Sequence, residues 1–293
     1  MEAGALSLLS RGASVSPVVL YLPQRSLLEI EDRVHLSRGT CPAETRDLGA
    51  PHYVPGARVP VPEWRLATQE ENSVLWSAMA PQTHRGVGIV RLLGPQLIRL
   101  FEKRSDIFER VDDADTLKHP LIGLLLDIIG NAGLVTRHAF SARIGRDEPG
   151  LITMTKAVDQ DARIGLHFDR WDRLSVDELE QSSNRISINL GPVDRHFIFL
   201  NQTASGMAAM LERANLQVAR DVRAIGAAFM SAFPEYPIVR LRLRPGEAYI
   251  APTENVLHDG SSAGVRETNH YLSIRGRFDF CETDLSLCKE SPQ

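Results

Sequence analysis

From residue 135 to 278 the chain is a succession of short β-branched and aromatic runs, each closed by a turn cluster, and this rhythm restricts its fold. Residues 135–143 and 151–158 read as strands around the turn Asp147-Glu148-Pro149-Gly150. Asp159-Gln160-Asp161 is a second turn and leads into an apolar run ending at Asp172. Ser175-Val176-Asp177-Glu178 has the pattern of a capping box and opens a short helix. Strands at 185–190 and 196–200 follow, joined by Gly191-Pro192-Val193-Asp194, and later strands at 238–244, 247–251 and 270–278. One amphipathic helix, 205–232, is inserted among them. Met207, Met210, Leu211, Ala214, Val218, Val222, Ile225 and Phe229 recur there at three or four residues, and the methionines read as core filler. Short strands in this number, with one inserted helix, do not alternate as β/α units. They predict a mainly β fold with flanking helices, an antiparallel double-stranded β-helix or jelly roll.

The part before residue 135 has a different character. Residues 1–66 are the least regular, with one short strand at 18–22 closed by Pro23 and a Pro-, Gly- and Arg-rich loop from 41 to 64. Thr68-Gln69-Glu70-Glu71 begins a helix that contains Val74 and Leu75. A strand at 86–92 carries Gly86 and Gly88 without the rest of a dinucleotide fingerprint. Pro95 opens a helix with Leu97, Ile98, Phe101, Ile107 and Phe108 on or near one face. Another runs over 120–129 and is stopped by Gly130-Asn131. Residues 67–134 therefore form a helical flank to a core at 135–280, and the whole of 1–293 reads as a single domain.

Composition excludes several classes of function. A net charge of −4 and the lack of a basic stripe with interleaved aromatics argue against nucleic acid as substrate or partner. Cys41, Cys281 and Cys288 are odd in number and too sparse for a disulfide framework, and they lack paired metal-binding spacing. No apolar run approaches the ~20 residues of a membrane span, and no signal pattern opens the chain, so a cytoplasmic, membrane-free protein is expected.

The chemistry concentrates around Arg163-Ile164-Gly165-Leu166-His167-Phe168-Asp169-Arg170-Trp171-Asp172. Side chains alternate along extended backbone, so His167 and Asp169 project together and could hold two adjacent positions on a metal ion. His258, which follows Pro245-Gly246-Glu247 and a strand, is the best third ligand, with His270 or His196 as its replacements. Two histidines and one carboxylate on one face make a facial triad that leaves three positions open, as in non-haem Fe(II) sites. In the last strand, alternation places Tyr271, Ser273, Arg275 and Arg277 opposite Leu272, Ile274 and Phe278. An inward arginine needs a carboxylate, which a metal-chelating dicarboxylate would supply to the Arg275 fork, with Ser273 adding a hydrogen bond.

His167-x-Asp169, the distal His258 and the strand bearing Arg275 together resemble the Fe(II)/2-oxoglutarate-dependent dioxygenases, over about 135–280 in order of elements. The resemblance implies a jelly roll buttressed by N-terminal helices and a catalytic domain. His167, Asp169 and His258 would bind iron, and Arg275 would hold the far carboxylate of 2-oxoglutarate, with Arg266 and Arg277 as its rivals. It further implies O2 as oxidant, ascorbate as an activator, and release of succinate and CO2. The outcome would be hydroxylation, desaturation or cyclisation at an unactivated C–H bond of a small molecule, such as an amino acid or natural-product intermediate. Related halogenases have Gly or Ala in place of the carboxylate, so Asp169 points to oxygenation. Trp171, His196 and Tyr249 are the candidate substrate contacts. Two alternatives stand beside this reading: a cupin-type metal oxygenase that does not use 2-oxoglutarate, though the compact cupin pattern is absent, and a non-catalytic jelly-roll binding protein.

Overall fold

Two sheets lie face to face, and the chain passes between them in the manner of a double-stranded β-helix. The protein is represented by a computed structural model that describes residues 17–23, 32–45, 52–92, 120–132, 134–217 and 221–280. Its strands are β1 (Val19–Tyr21), β2 (Val34–Ser37), β3 (Thr40–Pro42), β4 (Arg58–Pro60), β5 (Trp64–Leu66) and β6 (Gly86–Arg91), followed by the longest, β7 (Leu134–Asp147). The rest are β8 (Asn184–Asn189), β9 (Arg195–Thr203), β10 (Ile238–Leu243), β11 (Glu247–Ala251), β12 (Val256–Ser261) and β13 (Asn269–Phe280). The helices are α1 (Gln69–Leu75), α2 (Pro120–Asn131), α3 (Ala204–Arg213) and α4 (Val222–Ala232). One sheet has the order β1-β6-β11-β8-β13-β7 and the other β12-β9-β10-β2-β5, with β3 and β4 as a separate pair. From β8 to β13 every connection but β9–β10 changes sheet, and that one carries α3 and α4. This is the expected jelly roll.

The central strands are buried on both faces, which explains why runs such as Phe197-Ile198-Phe199-Leu200 are apolar throughout. Between the sheets, Val87, Ile89, Tyr249 and Ala251 meet Phe197, Phe199, Val239 and Leu241. The outer face of the larger sheet packs Ile186, Ile188, Leu272 and Ile274 against Ile122, Leu125 and Ile129 of α2. The outer face of the smaller sheet packs Ile198, Leu200 and Ile238 against Met207 and Leu211 of α3 and Ile225 and Phe229 of α4. Among the described residues, one ion pair has no exposure on either side. Arg33 and Glu247, both with fully buried side chains, form a two-pronged bridge at 2.7 and 2.9 Å.

Several elements differ from the sequence reading. The single helix expected over 205–232 is two, because Asn215 turns left-handed (φ 57°) and the Leu216 N–H closes back on the Leu211 carbonyl. Asp221 then caps α4 by accepting from the backbone N–H groups of Arg223 and Ala224. Residues 151–158 are not a strand; they run irregularly beside 163, bridged only at Lys156. The strand expected over 135–143 runs on to Asp147, because β13 pairs with it along its length. Residues 256–261, outside the strands expected from the sequence, form β12. The segment read as irregular, 1–66, contributes β1 to β5, with β2 completing the smaller sheet against β10. The capping boxes at Thr68 and Ser175 are both formed, the second on a turn of 3-10 helix (Val176–Gln181). The helix opening at Pro95, and Cys281 and Cys288, lie outside the described residues.

Candidate metal centre

His167 and Asp169 lie on the connection between β7 and β8, which runs extended beside β12. His167 and His258 exchange both backbone hydrogen bonds, N–H to carbonyl, at 3.1 and 2.9 Å. Residues paired directly across antiparallel backbone project to the same face, so this one bridge sets the two imidazoles side by side, ring centres 4.8 Å apart. Asp169 is tied to the next stretch of chain by its N–H, which donates to the Thr253 carbonyl at 2.9 Å. Alternation returns its carboxylate to the face of His167. Upstream, Gly165 sits at φ +71° with its Cα against the Arg58 carbonyl, where a Cβ would lie 2.4 Å from that oxygen. Only glycine fits this turn, and the turn aims His167.

The resulting group is His167, Asp169 and His258, with one donor atom from each lying within 4.8 Å of the others. Each imidazole donates its Nδ1–H to a backbone carbonyl, His167 to Gly165 at 2.9 Å and His258 to Val256 at 3.0 Å. That fixes the tautomer and leaves both Nε2 lone pairs free toward Asp169, at 3.8 Å from Oδ1 and 3.9 Å from Oδ2. Asp169 Oδ2 is buried and accepts no well-directed hydrogen bond, although the Arg185 guanidinium lies 2.7 Å away. Burial alone would raise the Asp169 pKa, but Arg185 and the two histidines outweigh it and hold it at about 2. Burial takes His258 down to about 3, so its ring is neutral at physiological pH. Two imidazoles with Nε2 free and an ionised carboxylate are the donor set a divalent transition metal takes. Among the described residues no fourth His, Cys, Asp or Glu joins the group.

Residues around this group were not all legible beforehand. Asp259, next to His258 in β12, turns behind His167, its Oδ2 3.8 Å from Nδ1. It accepts from the Thr155 hydroxyl at 2.8 Å and from the backbone N–H groups of Met154, Thr155 and Gly260, so the irregular 151–158 segment serves to wrap it. Arg275 lies on the expected face, but the chain itself supplies its carboxylate. Its guanidinium bonds Asp172 and Ser183 and stands between the rings of Phe140 and Trp171 at 5.2 and 5.8 Å. Trp171 is 61% exposed at this rim. Tyr249 stacks on Phe197 at 4.2 Å, between the sheets, and Ser273 pairs with Ser187 on the same inner face. Arg266 and Arg277 are exposed. His196 is not brought to the triad; it lies on the face of β9 opposite Phe197, beside His35 and Arg240. His270 sits at the start of β13 beside Arg146, away from the group. A cavity of about 670 Å³ opens beside the sheet ends, lined by His84, Arg137, Asn184, Pro252 and Arg277 among others.

Glu254 is buried here and accepts from the backbone N–H groups of Trp171 and Asp172, at 2.8 and 3.4 Å. Burial, with Asp169 and Asp172 nearby, pushes its carboxyl up to about 7. A raised folded-state value means that this group's contribution to stability is complete below its unfolded value near 4.5 and is lost as the pH rises through about 7. Glu254→Gln, which keeps an acceptor and cannot ionise, should therefore gain on the order of 3 kcal/mol over the parent between about pH 4 and pH 8. Denaturant melts of the metal-free proteins at both pH values check this, and a pH-independent difference would contradict it.

A scan of the chain against protein-family profiles gives no match, and a search of curated proteins gives none. Among solved structures, the chain is distantly similar to the non-heme alpha ketoglutarate dependent epimerase SnoN from nogalamycin biosynthesis. The identity is 12%, with 66% of this chain and 78% of that one covered, at a TM-score of 0.39. SnoN in complex with Fe3+, alpha ketoglutarate and nogalamycin RO gives 11% over 70% and 85%, also at 0.39. The non-heme alpha ketoglutarate dependent carbocyclase SnoK, from the same biosynthesis, gives 14% over 73% and 92%, at 0.38.

Proposed function

We propose that this chain is an Fe(II)- and 2-oxoglutarate-dependent oxygenase that acts on a C–H bond of a small molecule, with His167, Asp169 and His258 as the iron ligands. The observation that carries the reading is the triad itself: two imidazoles locked with Nε2 free, and a buried, ionised carboxylate, all on one face. Such a set leaves three positions open, two for a chelating 2-oxo acid and one for O2. Iron held there would supply O2 activation coupled to decarboxylation of 2-oxoglutarate, with one oxygen atom going to succinate and the other to the substrate.

Charge supports a dianionic co-substrate. Asp169 is the one carboxylate of the triad, and it would be shared between a divalent ion and the Arg185 guanidinium. The group then has two positive charges to spare in a buried place, which a dicarboxylate neutralises. The chain's own residues have defined tasks. Gly165 and Val256 hold the imidazoles through their carbonyls, and the stacked Phe197 and Tyr249 keep water from the back of the site. Trp171 at the rim is the candidate substrate contact. Asp169, by occupying a ligand position, favours oxygenation over halogenation, with hydroxylation the first expectation.

Supplied with Fe(II), 2-oxoglutarate and ascorbate, the purified protein should release succinate even without a prime substrate, and His258→Ala should not. Equal succinate release by the parent and His258→Ala, or none from a parent shown to be iron-loaded, would sink the reading. The same assay, repeated across candidate small molecules, would identify the substrate by coupled turnover.

A further inference from the structure

We infer that the far carboxylate of the co-substrate is received by Arg195 of β9, between Ser187, Tyr249 and Tyr271, and that Arg275 serves the rim instead; the inference rests on the oxygenase reading above. Three strands build this place on the inner face of the larger sheet. Tyr249 of β11, Ser187 of β8 and Ser273 of β13 are successive partners in register, with Tyr271 two residues before Ser273 on the same face. Arg195 enters from the start of β9 in the opposite sheet. Its side chain is 11% exposed. Nη1 donates to the Ser187 hydroxyl at 2.9 Å, and the guanidinium lies over the Tyr271 ring at 4.4 Å. Asp147 takes Nε from the far side and so fixes the plane of the fork. Among the described residues, no acceptor is placed on Nη2.

The spacing suits a five-carbon dicarboxylate. Arg185 stands at the metal end of β8, 2.7 Å from Asp169 Oδ2. Ser187 is two residues further along the same face, about 7 Å away at the usual strand rise, and Arg195 sits on Ser187. Tyr249, the register partner of Ser187, projects to the same inner face. A molecule chelating metal at the triad and reaching inward along β8 would meet Arg195 with its other end. Arg275, like Arg195, already holds a carboxylate and a serine hydroxyl, but it is the more exposed of the two, 24% against 11%, and its flanking rings lie at the rim.

The test uses two 2-oxo acids and the charge-transfer absorption that a chelated 2-oxo acid gives on Fe(II) without oxygen. 2-Oxoglutarate carries the far carboxylate, and 2-oxobutanoate does not. For Arg195→Gln, the Kd for 2-oxoglutarate should rise about 100-fold, while that for 2-oxobutanoate stays within about 3-fold of the parent. The double variant Arg195→Gln/Asp147→Asn removes the buried pair together, which guards against misfolding, and carries the same expectation. Arg275→Gln should keep the parent's preference for the dicarboxylate. A preference retained in both Arg195 variants, or erased in Arg275→Gln, overturns the inference while leaving the oxygenase reading intact. Absence of the band from the parent with either acid overturns both.

Discussion

Asp169→Ala should lower the affinity for Fe(II), or for Mn(II) as a redox-stable probe, by more than the roughly 100-fold that follows loss of an outer-shell partner. Two losses combine. The triad loses its single anionic ligand, and the charge that remains is of the wrong sign, because Arg185 at 2.7 Å is left facing the ion without its carboxylate. The same substitution should destabilise the metal-free protein by on the order of 3 kcal/mol, because a largely buried guanidinium becomes unpaired. Asp169→Ala/Arg185→Met removes both charges and should recover most of that stability without recovering the metal. Titration calorimetry and denaturant melts separate the two effects. Metal affinity within a few-fold of the parent in Asp169→Ala would show that the carboxylate is no ligand.

Glu247→Gln should cost about 3–5 kcal/mol and lower the melting temperature by roughly 10 °C. Glu247 sits at zero exposure, with Arg33 across it in a two-pronged bridge, the Arg91 fork at 3.2 Å and the Arg244 N–H at 2.9 Å. Burial alone would raise its carboxyl, but these partners outweigh it and hold it below the usual range. A depressed folded-state value means that the group's contribution is complete above its unfolded value near 4.5 and is lost as the pH falls below that. Acid should therefore weaken the parent more steeply than Glu247→Gln. Arg33→Met/Glu247→Leu should be far less damaged than the single variant, because no buried charge is stranded and the half-exposed Arg91 can turn to solvent. Unchanged stability of Glu247→Gln at neutral pH would mean that the bridge contributes nothing.

The triad was readable from the sequence because it depends on parity. His167 and Asp169 share a face on any extended backbone, strand or not, and the single bridge to His258 is enough to complete them. The residues that tune the triad depend on contacts far along the chain. Asp259 and Arg185 acquire meaning only once β8 and β12 are packed, and nothing in their neighbours marks them. The break after α3 was hidden because Ala214, Val218 and Val222 continue the helical spacing across it; Asn215 and the capping Asp221 were its local signs. β12 was hidden for the opposite reason. His258, Asp259 and Ser261 are buried polar residues among apolar ones, so a strand covered on both faces shows no alternation.

The helical layers over both sheets also decide where this scaffold can vary. With α2 on one outer face and α3 and α4 on the other, a change on the central strands disturbs two packed layers at once. The rim around Trp171, whose side chain is 61% exposed, carries fewer such obligations. Drift toward new small molecules should therefore accumulate at that open end, and the triad would be inherited unchanged beneath it.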